Sequence, residues 1–379
     1  NTHLLTKEDI MAKEIAEDIL NEIAKHSLEL EKIGNSMDKQ LVKELDDLAT
    51  SLVAILLRRD PASVTHPGRR RKMLEAILKE SHKKIDQAMS IIATASLKEV
   101  ERVAMLEAKF ALDSLNRAVT GKGTIKFASK KLGMRKVSKM SKELVIKGAP
   151  QKDLWARQSV KLQEKFTDVI REGWKAEDDI VTIVQRVRGT KAAGYSDGIM
   201  KAAKHVAKSL VRTSIQSIAQ QTRQEIYLAN NDVISGVQFL AVFDNRTTPV
   251  CQAHGGETWM MNESGGFDTG DKGHGYHPPP LHFNCRSQLI PLVKTPAELS
   301  NNKVKKVPSD RQSSLGKPVS APKTADTWLK GQSTGYQKEV LGSNYDMWKE
   351  GKVSFNMFVT QKGRLRSAKE LAKIYDGQD

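Results

Sequence analysis

The sequence predicts a mostly α-helical protein that carries one small α+β domain. Long stretches place apolar residues at helical spacing without Pro or Gly, and one later region alternates Val-, Phe- and Leu-rich segments with turns. That same region gathers both cysteines and several histidines in a Gly- and Pro-rich loop. The expected architecture has elongated N-terminal helices, a helical middle, a small β-platform with a Cys/His-clasped loop, and a short helical C-terminal appendage.

Length and composition bound the domain organisation. The chain has 379 residues, of which 39% are hydrophobic and 5% aromatic, which suggests two or three domains with elongated or partner-dependent parts. We divide it into an elongated helical region 1–120, a basic linker or arm 121–150, a domain 151–297, a flexible linker 298–325 and a helical appendage 326–379.

The spacing of Ile and Leu predicts the first two helices. Thr6 can cap a helix whose apolar face continues through Ile23. The Gly34–Ser36 segment is expected to break this helix. The helix that follows has a leucine stripe at Leu41, Leu45, Leu48, Leu52 and Leu56.

A loop and a long helix come next. The segment 59–72 contains two prolines, a glycine and four consecutive basic residues, so we expect a loop. The segment 73–119 lacks Pro and Gly and keeps a helical pattern throughout, which predicts one long helix.

Positive charge is concentrated in one stretch. The net charge is +16, and 121–149 holds nine Lys or Arg against the single acid Glu143. This stretch is either a flexible basic arm, a loop lying on a polyanion, or a solvated linker. The candidates for sequence-independent contact with DNA phosphates are Arg69, Arg70, Arg71, Lys72, Lys130, Lys131, Arg135, Lys136 and Lys139.

The middle of the chain predicts helices followed by strands. Helices are expected over 151–229 with a break at 188–198. The segments 234–247, 258–261 and 287–293 have strand-like composition and enclose a long Gly/Pro loop.

The two cysteines lie in paired motifs with histidine. Their spacing is Cys-x2-His, about 27 residues, then His-x2-Cys, formed by Cys251, His254, His282 and Cys285. Thiolate and imidazole are the preferred ligands of structural zinc, so one zinc ion is a candidate cofactor. His274 and His277 are further candidates for the fourth ligand. A Cys251–Cys285 disulfide, or two buried thiols with histidines that only bond the loop, are the alternatives.

A catalytic role is not expected for this loop. A metal-dependent nuclease needs a carboxylate at the metal, and Asp244, Asp268 and Asp271 are available. No Ser-His-Asp order or phosphate-binding glycine fingerprint is present in the sequence. Asp244, Arg246 and Arg286 fit the capping of turns and the bonding of loop carbonyls.

The beginning of the chain and its apolar runs are typical of synthesis in a reducing cytoplasm. The first 20 residues are amphipathic with acids throughout and lack the layout of a signal peptide. The longest apolar run, 52–57, is too short to span a bilayer.

These motifs together resemble the head morphogenesis domain of tailed-phage minor head proteins, the group that includes the Mu F protein and the SPP1 gene 7 product. The matching positions, in order, are Arg212 and Thr213; Asp244, Arg246 and Thr247; Cys251 and Gly256; and Pro279, Pro280, His282, Asn284, Cys285 and Arg286. The tail resembles the segment that follows this domain in some of those proteins, at Trp328, Leu329, Gln332, Val340, Leu341 and Gly342. The resemblance covers roughly 150–375.

The resemblance implies a minor structural protein of the virion, made in the host cytoplasm. Its partners would be the portal and major capsid proteins and packaged double-stranded DNA, with several copies per particle and no membrane in the assembled head. It would act in head assembly, DNA packaging or genome delivery and would not be an enzyme. The alternatives are a zinc-dependent nuclease or ADP-ribosyltransferase, the latter sometimes fused to this domain, and a non-specific DNA-binding protein.

Overall fold

A computed structural model describes residues 7–59, 64, 66–120, 129–243, 247–294, 311–313, 318–319, 330, 333–353, 357 and 366–375. The predicted fold class is confirmed, because the described residues are mostly helical and include a small antiparallel sheet. The chain divides into two compact units. Unit 1 comprises Asn1–Leu30, Val103–Ser138 and Gln216–Asp379, and unit 2 comprises Glu31–Arg102 and Lys139–Ile215. This division differs from the predicted one, in which 1–120 and 151–297 are separate domains.

Helix α1 spans Lys7–Leu57 without interruption, so the predicted break at Gly34–Ser36 is wrong. Glycine in a helix costs only about 1 kcal/mol relative to alanine, whereas the apolar stripe continues through the buried Leu30, Met37 and Leu41. A Cβ at Gly34 would meet the Arg212 side chain at an ordinary 3.5 Å. The predicted leucine stripe at Leu41, Leu45, Leu48, Leu52 and Leu56 is buried as expected.

Helix α2 spans Pro67–Thr120, which confirms the long helix predicted over 73–119 and extends it. The loop predicted over 59–72 therefore ends earlier than expected. Proline is favoured at the first position of a helix because its missing N–H has no intrahelical partner there. As a result, the four basic residues 69–72 lie in the first turns of α2 rather than in a loop.

The basic stretch 121–149 contains regular structure in its described part. Helix α3 spans Met134–Lys142, and strands β1 (Val145–Ile146) and β2 (Ala149–Pro150) form a short hairpin. Val137, Met140 and Ile146 are buried. Residues 129–149 therefore form a structured segment and not the free arm that the charge pattern suggested, while 121–128 lie outside the described residues.

Three helices follow, with the break that the sequence predicts. They are α4 (Gln151–Lys175), α5 (Ile180–Arg188) and α6 (Ile199–Ala229). Asp179 caps α5 by accepting from the Thr182 N–H at 2.6 Å. Unit 2 buries Trp155 and Phe166 of α4 together with the leucine stripe of α1.

A three-stranded antiparallel sheet lies in unit 1. Strand β3 (Ile234–Leu240) is central, with β5 (Thr258–Met260) on one side and β6 (Gln288–Val293) on the other. Val237 lies opposite Trp259 on β5 and opposite Pro291 on β6. All three segments agree with the predicted strands.

Both faces of this sheet are covered. Phe239 packs in a core cluster with Trp259 and with Leu115 and Ile226 of α2 and α6. Leu240 packs on the other side, with Ile23 of α1 and Ile290 of β6 among its partners. The first cluster also contains both cysteines, which places the Cys/His loop against the core of unit 1.

The predicted linker 298–325 contributes two short strands. Strand β4 (Val242–Phe243) pairs in parallel with β7 (Arg311–Ser313), and β7 pairs with β8 (Pro318–Val319). The predicted C-terminal appendage is helical in its described part, with helices Thr334–Leu341, Tyr345–Lys349 and Ala368–Tyr375. No helix among the described residues is both long enough and apolar enough to cross a membrane.

Candidate metal centre

The order of the strands brings the two cysteines together. The short helix α7 (Pro249–His254) precedes β5 and carries Cys251, while Cys285 precedes β6. Because β5 and β6 both pair with β3, the residues that lead into them meet beside the same strand. The segment 261–287 leaves the end of β5 and returns to β6.

Cys251, His282 and Cys285 form a compact cluster that is able to hold a metal ion. The Cys251 Sγ lies 3.2 Å from His282 Nε2 and 3.5 Å from Cys285 Sγ. Both cysteines are 1% exposed, and His282 is half-buried. Three of the four predicted ligands are therefore in one place.

The His282 ring is oriented as a metal ligand would be. Its Nδ1 lies 2.8 Å from the Phe283 carbonyl oxygen, and a carbonyl only accepts, so Nδ1 carries the proton. In the neutral ring, Nε2 then holds a lone pair directed at the sulfur atoms. A backbone carbonyl that fixes the tautomer in this way is the usual partner of a metal-bound histidine.

The two thiols differ in acidity because they share one site. The hydrogen bond with Cys285 raises the pKa of Cys251 well above its ordinary value, and burial raises it further. Burial alone would also raise the pKa of Cys285, but the hydrogen bonds with Cys251 and His282 hold it well below the ordinary value.

The separations fit a metal better than a disulfide. Two sulfurs bound to one tetrahedral zinc lie about 3.8 Å apart, and a sulfur and a nitrogen about 3.6 Å apart. The observed 3.5 and 3.2 Å are each within a few tenths of an ångström of these values. A disulfide requires about 2.05 Å, so the predicted alternative of a Cys251–Cys285 disulfide is not formed, and both cysteines are free thiols.

His254 is not the fourth ligand that the sequence predicts. It belongs to a second buried cluster with Glu257 and His274. Its Nδ1 lies 2.6 Å from Glu257 Oε2, and its ring lies 5.5 Å from that of Phe239. His254 ends α7 three residues after Cys251, and its side chain is held by this second cluster. Burial lowers the pKa of His254, which favours its neutral form.

Several residues of the motif have structural contacts around the cluster. Thr247 is buried, and its hydroxyl donates to the Val242 carbonyl at 2.7 Å. Gly256 has a φ of +82° and donates its N–H to the Phe239 carbonyl at 2.8 Å, which explains why this position requires glycine. Asn284, with a φ of +60°, is one of the few side chains that tolerate this conformation.

The remaining motif positions differ in their burial. Pro279 is buried, whereas Pro280 and Arg286 are half-buried. Asp244 and Arg246 lie outside the described residues.

The carboxylates considered for catalysis hold the loop in place. Asp271 Oδ1 accepts from the Thr258 N–H at 3.0 Å, and Asp268 Oδ1 accepts from the Asn262 side chain at 3.3 Å. The Asp271 contact joins the loop 261–287 to β5, and the Asp268 contact lies within the loop.

The basic residues predicted to contact DNA are spread over both units. Four of them are ion-paired, as Lys130–Asp232, Lys136–Glu225, Lys139–Glu143 and Arg71–Glu75. Arg70 lies over the Trp174 ring at 5.7 Å. These surface pairs are weak, so they do not prevent contact with phosphate, but the residues do not form one continuous arm.

Arg212 and Thr213 have structural partners in unit 2. The Arg212 guanidinium donates to Asp38 at 2.9 and 2.5 Å and to Asn35 at 2.9 Å. Thr213 is fully buried, and its hydroxyl donates to the Ser209 carbonyl at 2.7 Å.

A buried ionic network in unit 1 was missed by the sequence analysis. Arg223 and Glu107 form an ion pair with neither side chain exposed, and Arg223 also donates to Gln288 of β6. His26 Nε2 lies 2.8 Å from the other oxygen of Glu107. The available signal was a charge on an apolar face, because Glu107 follows the buried Val103 at helical spacing.

Comparison with known proteins adds no relative: no protein-family model, curated protein or solved structure matches this chain.

Proposed function

We propose that this chain is a minor structural protein of a tailed-phage virion, associated with the portal and the capsid and acting in head assembly, DNA packaging or genome delivery. The observation that carries the proposal is the cluster of Cys251, His282 and Cys285, which closes a long loop onto the core of unit 1. The sequence motif that resembles the head morphogenesis domain supplies these three side chains. Thr247, Gly256 and Asn284 of the motif support the backbone in the same unit, whereas Arg212 and Thr213 belong to unit 2.

The cluster has the features of a structural clasp. Fixing a loop as long as 261–287 costs conformational entropy. Met261, Phe267, Tyr276 and Leu281 offset part of that cost by packing against the core. A crosslink at its base holds the loop without further burial. The two thiols are buried and lie against each other, as the ligands of one structural ion do. The described residues supply three ligands, so a fourth donor would complete a tetrahedral site.

Zinc is the ion that best fits these donors. Cys251 and Cys285 would supply two sulfur ligands, and His282 would supply Nε2. When bound, the ion would neutralise the thiolates and hold α7 to the start of β6. The Phe283 carbonyl already orients His282 for this role.

A second candidate function is sequence-independent DNA binding. Unit 2 holds 30 Lys and Arg against 20 Asp and Glu, a net charge of +10, whereas the remaining 31 and 25 give unit 1 only +6. Positive charge concentrated in one unit favours a polyanionic neighbour there. This function is compatible with a place in the head, where packaged DNA is the neighbour.

Mass spectrometry of purified particles tests the proposal. Heads purified from the source that encodes this chain are expected to contain it in a fixed ratio to the portal protein, and chemical crosslinking should join it to portal or major capsid protein. The chain's absence from washed particles, together with its recovery in the soluble fraction, would overturn the proposal.

Substituted chains test whether incorporation into particles requires the clasp. A chain with Cys251→Ser and Cys285→Ser is expected to be missing from particles, whereas one with the exposed Ser264→Ala substitution should be retained. Equal incorporation of both variants would show that assembly does not require the clasp.

A further inference from the structure

Three side chains outside the cysteine clasp form a second group of ligand type in unit 1. His254 ends α7, Glu257 lies just before β5, and His274 comes from the middle of the loop 261–287. They are 0%, 0% and 3% exposed. Each offers one ligand atom within 4.8 Å of those of the other two.

The Glu257 carboxylate faces both imidazoles. His254 Nδ1 lies 2.6 Å from Oε2, while His274 Nδ1 lies 2.9 Å from Oε2 and 3.0 Å from Oε1. A simple hydrogen bond would favour one oxygen, whereas the His274 nitrogen is equidistant from both and faces the fork of the carboxylate. That fork is where a cation bound by both oxygens would lie.

The donor set suits a divalent transition ion. Two imidazole nitrogens and the two oxygens of one carboxylate provide four ligand atoms, and bonds of about 2.0–2.2 Å at tetrahedral angles place a nitrogen and an oxygen about 3.3–3.6 Å apart. The observed nitrogen–oxygen distances of 2.6–3.0 Å would lengthen by several tenths of an ångström to admit an ion. Mixed nitrogen and oxygen donors favour zinc over magnesium or calcium, which prefer oxygen alone.

The charge of the Glu257 carboxylate and its enclosure by the backbone also favour a bound cation. An ionised carboxylate that is fully buried is costly in the core unless a cation balances its charge. The backbone closes over this group, because a Cβ at Gly270 would lie 2.4 Å from Glu257 Oε1 and 2.7 Å from Trp259 Nε1. The Trp259 Nε1–H also donates to the His274 carbonyl at 3.1 Å and so fixes the third ligand's backbone.

We propose that His254, Glu257 and His274 bind a second zinc ion, separate from the one assigned to the cysteine clasp. The clasp would hold the end of the loop through Cys285, and the second ion would hold its middle through His274. Both attach the loop to the segment that runs from α7 into β5. The proposal does not depend on the virion function, since it rests only on these side chains.

Zinc content of the purified full-length chain is the first test. Relative to the wild type, Glu257→Gln and His274→Ala are each expected to lose one zinc per chain, with Glu263→Gln as a matched control on the exposed part of the same loop. Circular dichroism establishes that each variant is folded. A folded Glu257→Gln protein with the full wild-type zinc content would overturn the proposal.

X-ray absorption at the zinc edge of the wild-type chain keeps the test independent of variant folding. If both sites are filled, the clasp ion has two sulfur neighbours and the second ion has none. The spectrum then shows a mean of about one sulfur neighbour per zinc. A single ion with two sulfur neighbours would contradict the second site and leave the three residues as a hydrogen-bonded group. A single ion without sulfur would support it and contradict the clasp instead.

Discussion

At the scale of single residues, the stability of unit 1 depends on the buried carboxylate of Glu107. Its carboxylate is fully buried between Arg223 and His26. Burial works against its ionised form, yet the charge of Arg223 and the hydrogen bond with His26 hold its pKa below the ordinary value. The ionised pair therefore belongs to the folded state at neutral pH.

Removing this charge should destabilise the protein strongly. Glu107→Gln leaves the buried Arg223 guanidinium without its counter-ion, and we expect a loss of about 3–5 kcal/mol in the free energy of unfolding at pH 7. Denaturant titration measures this loss. The control is Glu75→Gln, which removes the exposed partner of Arg71 and should change stability by no more than about 0.5 kcal/mol.

The ion pair of Glu107 and Arg223 also predicts how the free energy of unfolding changes with pH. Because the folded-state pKa of Glu107 lies below its unfolded value of 4.5, the stability it contributes is present above that pH and is lost as the pH falls through the folded pKa. The stability difference between wild type and Glu107→Gln should therefore shrink as the pH is lowered below 4.5. A difference that grows on acidification would contradict the assignment.

At the scale of elements, close packing in the sheet depends on Gly236 of β3. It lies opposite Met260 of β5, and a Cβ there would come within 2.4 Å of the Trp259 carbonyl oxygen. That oxygen belongs to the backbone and cannot move aside as a flexible side chain would. Any side chain at 236 must therefore push β5 away from β3.

Gly236→Ala is expected to destabilise unit 1 by about 1–3 kcal/mol, the usual cost of overpacking a core. Gly133→Ala is the control, because nothing lies within 4 Å of the added atom there. Thermal unfolding of the two variants should separate them clearly. If both variants melt at the wild-type temperature, β3 and β5 have room for a side chain at position 236.

Element by element, the sequence was most informative where one local rule dominates. The uninterrupted pattern over 73–119 and the strand composition of 258–261 and 287–293 both led to the correct elements. The break predicted at Gly34 failed because burial of its neighbours outweighs the modest helical cost of glycine.

The ligand sets were harder to predict, because the spacing of residues along the chain does not determine where their side chains point in the folded protein. Cys251, His282 and Cys285 meet as predicted, but His254, three residues beyond Cys251, binds Glu257 instead. Glu257 itself was not singled out, because a lone glutamate before a strand has no distinguishing pattern. The Glu107–Arg223 pair joins two distant helices, which no local rule connects.

At the scale of the whole molecule, charge is the property most open to test. The structure places residues 69–72 at the start of α2, where Arg69 and Lys72 are exposed. Contacts between such side chains and phosphates depend on counterion release and carry no sequence information. Binding to duplex DNA should therefore be equal for unrelated sequences and should weaken steeply with salt.

A matched pair of variants tests whether the start of α2 binds phosphate. Arg69→Gln with Lys72→Gln should reduce the slope of log affinity against log salt by about 0.9 for each phosphate that the variant no longer neutralises. Lys39→Gln with Lys43→Gln removes the same charge from exposed positions on α1 and should leave the slope nearly unchanged. Fluorescence anisotropy over a range of salt concentrations measures both. Equal slopes would contradict phosphate binding at the start of α2.

Cobalt substitution distinguishes a metal clasp formed by Cys251, His282 and Cys285 from a group of hydrogen-bonded side chains. Thiolate ligands give Co²⁺ an intense charge-transfer absorption that imidazole and carboxylate ligands lack. In the wild-type chain this band should grow with added Co²⁺ and saturate at no more than two equivalents, one for each proposed site. It should be absent from Cys285→Ser and weakened or shifted in His282→Ala, yet intact in His254→Gln. A wild-type chain without the band, or a band that disappears in His254→Gln and persists in His282→Ala, would contradict the clasp.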